Sequence, residues 1–170
     1  AFSAASGRVA WSKAKDIEVF ASPIGLDING DGKSDIAVTT KDGQVYALDG
    51  ATGDDIWSAA IGADVYASPT AFDVNGNGIK DLIFADRNGR VVIFDSSWGR
   101  KIIEQQVGSQ FVASPVMGDI NNDSLLELVV VDVSGQISAL GLNLEVEKGQ
   151  NEWPMFLGTP THSAAEGSLK

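Results

Sequence analysis

The sequence contains no cysteine, which excludes a disulfide framework, a thiolate metal site and a cysteine nucleophile. It has a single histidine, His162, near the C-terminus. Multi-histidine metal sites and most relay chemistry therefore lack the residues they need. No apolar run approaches the roughly 20 residues that span a bilayer. Basic residues are also few: 12 Lys and Arg stand against 23 Asp and Glu, for a net charge of −11. Such a surface repels phosphate backbones, so nucleic acid is excluded as the expected partner, and it attracts cations. With 44% apolar and 21% charged residues the chain has the composition of a soluble globular protein, not of a disordered acidic tail. Its 170 residues give room for one domain or for part of a larger one. The first residue is Ala1, and no signal-peptide pattern follows, which reads as a processed or trimmed product.

What is present is a repeat. The pairs Ser22-Pro23, Ser68-Pro69 and Ser114-Pro115 are spaced by 46 residues both times. Asp27, Asp73 and Asp119 keep that phase, as do Gly43, Gly89 and Gly135, and Gly7, Gly53 and Gly99. Trp11 and Trp57 agree, with Ile103 at the third position. Three units result, 7–52, 53–98 and 99–144, preceded by a strand remnant at 1–6 and followed by a tail, 145–170, expected to pack on the repeats.

Each unit reads as four short strands. In the first unit these are 24–28, 35–40, 44–48 and a fourth including 55–58. Counterparts of the second strand are 81–85 and 127–131; those of the third are 90–94 and 136–140. Asp42-Gly43, Asn88-Gly89 and Ser134-Gly135 mark tight hairpins between them. Repeated four-stranded units of this length fit β-propeller blades, in which stacking buries both faces of every sheet. A β-sandwich or solenoid of repeated hairpins is the competing arrangement. A ring takes about 4–8 blades, so three units imply further blades elsewhere or completion by other chains or copies of the same chain. The last unit has no clear fourth strand, and the segment 9–13 is a candidate to supply it, within one ring or from a neighbour.

The chemistry lies in an acidic loop between the first two strands of each unit. The side chains at positions 1, 3, 5 and 9 are Asp27, Asn29, Asp31 and Asp35; Asp73, Asn75, Asn77 and Asp81; and Asp119, Asn121, Asp123 and Glu127. Alternating residues of a tight loop can point inward together. Calcium takes six to eight oxygen ligands. Four side chains and the carbonyl of position 7 (Lys33, Ile79 or Leu125) supply most of a shell, with glycine at position 6 of the first two loops for the sharp turn. The expected cofactor is calcium, two or three ions per chain, in a mainly structural role. The pattern is not an EF-hand, because position 12 is Val38, Phe84 or Val130 where that loop needs a bidentate Glu. Asp, Asn and Gly are also ordinary turn residues; three loops in register are what favours a metal.

These loops resemble the FG-GAP repeats of integrin-α-like propellers, where a DxNxDGxxD loop holds calcium. That resemblance implies metal ligation by the residues just named. Asn77, Glu127 and Ser124 depart from its pattern. The stretch 45–53, ending in Ile56-Trp57, is similar to pyrroloquinoline-quinone-type propeller repeats, in which the tryptophan packs between blades. The tail Trp153-Pro154-Met155-Phe156-Leu157-Gly158 looks like a segment found beside such propellers in secreted bacterial proteins. The expected function is a non-catalytic calcium-binding propeller module, extracellular or periplasmic, that adheres to or binds protein or carbohydrate. Part of a secreted enzyme (a polysaccharide lyase or quinone-dependent dehydrogenase) and a purely structural assembly subunit are the alternatives. No catalytic residue stands out, and His162 reads as a tail-packing residue. Trp11 and Trp57 are expected between blades. Trp98, in a Gly- and Ser-flanked turn, is the expected exposed contact residue.

Overall fold

A computed structural model describes residues 1, 7–13 and 17–145. The described chain is all-β and forms three antiparallel sheets. The first contains β1 (Ile24–Leu26), β2 (Asp35–Thr39), β3 (Gln44–Leu48) and β4 (Asp55–Ala60), side by side in chain order. The second repeats it with β5 (Thr70–Phe72), β6 (Asp81–Ala85), β7 (Arg90–Asp95) and β8 (Arg100–Gln106). The third has β9 (Val116–Gly118), β10 (Leu125–Val131) and β11 (Ile137–Glu145). The hairpin turns fall where the Asp-Gly, Asn-Gly and Ser-Gly pairs place them, with left-handed glycines at Gly43, Gly89 and Gly135.

The sheets bury their faces against one another, as the repeat requires. Ala37, Val45 and Ala47 of the first sheet share a core with Leu82, Phe84, Val92 and Phe94 of the second. The opposite side of the second sheet, Ile83, Ala85, Val91 and Ile93, shares another with Leu126, Leu128 and Val130 of the third. The middle sheet is thus covered on both sides, and every residue of β6 is buried. The expected tryptophan packing is present. Trp57 lies over Gly99 at the turn between β7 and β8, and its indole N–H donates to the Ser96 carbonyl at 2.6 Å. Trp11 does the same one repeat earlier, over Gly53, donating to the Gly50 carbonyl at 2.9 Å.

The serines of the Ser-Pro pairs form a ladder between sheets: the Ser22 N–H donates to Ser68 Oγ at 2.8 Å, and the Ser68 N–H to Ser114 Oγ at 3.1 Å. The sequence marks these serines as repeats without showing that successive copies touch.

The third sheet has three strands among the described residues, in keeping with the missing fourth-strand pattern of the last unit. After β3, Asp49 accepts N–H bonds from Ala51 and Thr52 and turns the chain at Gly53. After β7, Asp95 accepts from Ser97, and the chain turns at Gly99. The corresponding residues, 141–145, read Gly-Leu-Asn-Leu-Glu. Both the capping Asp and the left-handed Gly are missing, while Leu142 and Leu144 pack on the second core. β11 therefore runs on to Glu145, which pairs with Leu125 past a bulge. No fourth strand follows it among the described residues. The segment 9–13 lies against the first sheet, through Trp11 and the Lys13–Asp54 ion pair at 2.8 Å. The tail from 146 onward, with Trp153 and His162, lies outside the described residues.

Candidate metal-binding loops

The three acidic loops connect β1 to β2, β5 to β6 and β9 to β10. Each is built around its first carboxylate. In the first loop Asp27 Oδ1 accepts the N–H groups of Gly30 (2.8 Å) and Asp31 (3.1 Å), and its Oδ2 accepts that of Gly32 (2.9 Å). Asn29 Oδ1 accepts from Asp31, and Asp31 Oδ1 from Lys33. The second loop repeats this atom for atom: Asp73 takes Gly76, Asn77 and Gly78, Asn75 takes Asn77, and Asn77 takes Ile79. In the third, Asp119 takes Asp123 and Ser124, Asn121 takes Asp123, and Asp123 takes Leu125. Short Asp and Asn side chains are the residues that can bond their own backbone two residues on, which closes such a turn.

The ninth residue sits apart, at the start of the next strand. Asp35, Asp81 and Glu127 are 1%, 0% and 8% exposed, although the rest of each loop is largely open. Asp35 Oδ2 accepts from Ile28 (3.1 Å) and Asn29 (3.3 Å). Asp81 accepts from Val74 (2.9 Å), Asn75 (3.2 Å) and the Asn75 amide. Glu127 accepts from Ile120 and the Asn121 amide, its longer side chain reaching the same two positions. Burial pushes the Asp81 carboxyl up to about 6, against the pull of the Val74 and Asn75 N–H groups, and the nearby Asp95 and Asp73 charges add to the rise.

Positions 4 and 6 both carry a left-handed backbone in every loop: Gly30 and Gly32, Gly76 and Gly78, Asn122 and Ser124. The requirement at position 4 was not read from the sequence, although Gly30 and Gly76 were its signal. Ser124, at φ 71°, holds the turn despite its Cβ. Ser124→Gly removes that strain and is expected to stabilise the fold by about 0.5–1 kcal/mol, read from urea denaturation.

The donor set suits a hard cation. It is all oxygen, with three carboxylates in the first and third loops and two in the second. Lys33 Nζ lies 3.4 Å from Asp31 Oδ2 in the first loop. Each carboxylate bonded to the backbone keeps lone pairs for a further partner. Among the described residues, however, no three acidic or histidine side chains converge as a ready-made metal cluster. The turn aligns the ligand positions along one loop, their oxygens turned toward backbone N–H groups. A shell closed there draws on the Asn amides and the backbone as well as the carboxylates.

A second set of acids shares the repeat but not the chemistry. Asp86 Oδ1 accepts the Asn88 and Arg90 N–H groups, and its Oδ2 faces the Arg90 guanidinium at 2.7 Å. Asp132, 46 residues on, accepts from Ser134, Gln136 and Ser109. The Ser134 and Ser109 hydroxyls hold its carboxyl well below the usual range. These residues cap the hairpins between the second and third strands. Their signal was the spacing shared with Thr40. Trp98, on the turn after β7, is 79% exposed, as its Gly- and Ser-flanked position leads one to expect.

Stacked antiparallel sheets of one repeated design, keyed by tryptophan and serine from one to the next, define a set of β-propeller blades. The model of the FG-GAP-like repeat matches residues 27–84 and 73–130, more than half of the chain, so the chain belongs to the FG-GAP-like repeat family. No curated protein matches it. Among solved structures it is similar to BamB from Moraxella catarrhalis, at 20% identity and a TM-score of 0.56, over 82% of this chain and 38% of that one. BBS1N, solved in complex with ARL6DN and soaked with mercury, matches at 10% identity and the same TM-score, over 82% of this chain and 40% of that one. At these identities the likeness concerns the fold. The chain spans about two fifths of the length of each. Among the described residues no helix is long and apolar enough to cross a membrane.

Proposed function

We propose that the chain is a non-catalytic calcium-binding propeller module of the extracellular or periplasmic space, which binds a protein or carbohydrate ligand. One observation carries the reading: three loops at the same point of successive blades share one hydrogen-bonded turn and offer only oxygen donors. Asp27, Asn29, Asp31 and Asp35, with the Lys33 carbonyl, would hold the ion of the first loop. The corresponding residues of the other two would hold theirs. The ion would offset the charge of the loop's carboxylates and tie the first strand of a blade to the second. Extracellular calcium modules bind with dissociation constants of about 10⁻⁴–10⁻³ M, which matches calcium outside the cytosol. Adhesion or ligand capture is the role such an exterior leaves open, with Trp98 as the contact residue.

The double substitution Asp27→Ala/Asp31→Ala tests this. A site ten-fold saturated contributes about 1.4 kcal/mol. In calcium the variant is therefore expected to melt several degrees below the parent, and the gap is expected to narrow in chelator. Equal melting temperatures for variant and parent in calcium would mean that the first loop is only a turn.

A further inference from the structure

We propose, on the strength of the calcium reading above, that the first two loops owe part of their affinity to residues outside them. These are the turn after the third strand of the same blade and the tryptophan that packs on that turn. Gly50 with Trp11, and Ser96 with Trp57, are then positioning residues for the ions of the first and second loops.

The contact starts at the eighth loop position. Ser34 and Lys80 each lie between the seventh residue, whose carbonyl is offered to the ion, and the ninth, whose carboxylate is. Neither can shift without shifting both donors. In the second blade the Lys80 carbonyl accepts the Ser96 hydroxyl at 2.5 Å. In the first, the Ser34 carbonyl oxygen lies so close to Gly50 that a Cβ there would stand 1.9 Å from it. The Gly50 N–H donates to Asp35 Oδ1 at 3.1 Å, while Asp35 Oδ2 accepts the Ile28 and Asn29 N–H groups of its own loop. Oδ1 keeps a lone pair for an ion.

The same two turn residues carry the tryptophans. The Ser96 carbonyl accepts the Trp57 indole N–H, and the Gly50 carbonyl accepts that of Trp11. Each ring closes over the far end of the turn, at Gly99 and Gly53. One residue thus faces the loop through its N–H or hydroxyl and the tryptophan through its carbonyl. Loop and tryptophan are joined by two hydrogen bonds in both blades. One repeat further, the tryptophan position is Ile103, whose side chain has no N–H, and the turn position is Leu142, inside β11. Both members are lost together, beside the loop that lacks glycine at its fourth and sixth positions.

An ion held by the seventh and ninth residues fixes the carbonyl between them, and with it the turn. A turn already held by its tryptophan lowers the ordering cost of the ion-bound loop. The coupling is reciprocal, so it can be read from either end.

Nuclear magnetic resonance of the full chain, with calcium alone as the probe, reads both ends. The Gly32 and Gly78 amides report binding in the two loops. The Trp11 and Trp57 indole N–H signals, assigned with Trp11→Phe and Trp57→Phe, report the turns. Each indole signal is expected to move with calcium along the same curve as the glycine amide of its loop. Asp73→Ala/Asn77→Ala is expected to silence the response of Trp57 and spare that of Trp11. Trp57→Phe and Ser96→Ala are each expected to weaken binding at Gly78 about fivefold or more and to leave Gly32 unchanged. Indole signals that stay still while the glycine amides respond, or equal affinity at Gly78 in the parent and both variants, would overturn the coupling and leave the calcium reading standing. Glycine amides that do not respond to millimolar calcium would overturn that reading and the coupling with it.

Discussion

Trp57→Ala is expected to cost about 3 kcal/mol of stability, at the lower end of the range for truncating a large aromatic residue, because the ring is only partly buried. The indole fills the space over Gly99 and donates to the Ser96 carbonyl, so one substitution opens a void and leaves a carbonyl without its donor. Trp57→Phe keeps most of the packing and loses the hydrogen bond, and is expected to cost about 1 kcal/mol plus a smaller packing loss. Urea denaturation of the two variants separates these contributions. A Trp57→Ala midpoint close to the parent's would show that the first and second blades do not depend on this contact.

Gly89→Ala is expected to cost about 2–5 kcal/mol, from left-handed backbone strain together with steric overlap. At φ 79°, a methyl group on Gly89 would lie 2.1 Å from the Gly108 carbonyl oxygen. That carbonyl cannot retreat easily, since the Val107 and Gly108 N–H groups both donate to the Gly89 carbonyl. Gly135 holds the same turn position in the third blade, at φ 87°, and a methyl there meets nothing within 4 Å. Gly135→Ala is therefore expected to cost only the backbone strain, about 1–2 kcal/mol. The difference between the two variants measures how tightly the segment after the fourth strand closes on the hairpin. Equal costs would mean that the contact at Gly89 relaxes freely.

The repeat made most of the fold legible. Residues recurring at a spacing of 46, with a glycine turn in each unit, place the strands because the same local chemistry acts three times. β6 lies where the sequence puts it, and so do the left-handed glycines of the hairpins. Trp11 and Trp57 read correctly because the stretch ending in Ile56-Trp57 is similar to propeller repeats in which the tryptophan packs between blades; the glycines beneath them, Gly53 and Gly99, show only in the structure. β11 was harder. Its extension follows from what residues 141–145 lack, and a missing cap leaves no positive mark in a sequence. The serine ladder was hidden for another reason: a period shows which positions are equivalent, not which copies touch. In the loops the side chains at positions 1, 3, 5 and 9 were legible by type and spacing. The burial of Asp35, Asp81 and Glu127, beside otherwise open turns, depends on how the strands pack.

Native mass spectrometry of the full chain in millimolar calcium, repeated after chelation, tests the central claim most directly. Two or three calcium ions per chain, lost on chelation, is the predicted result. A chain that carries no calcium at millimolar concentration would contradict it and leave the three loops as hydrogen-bonded turns.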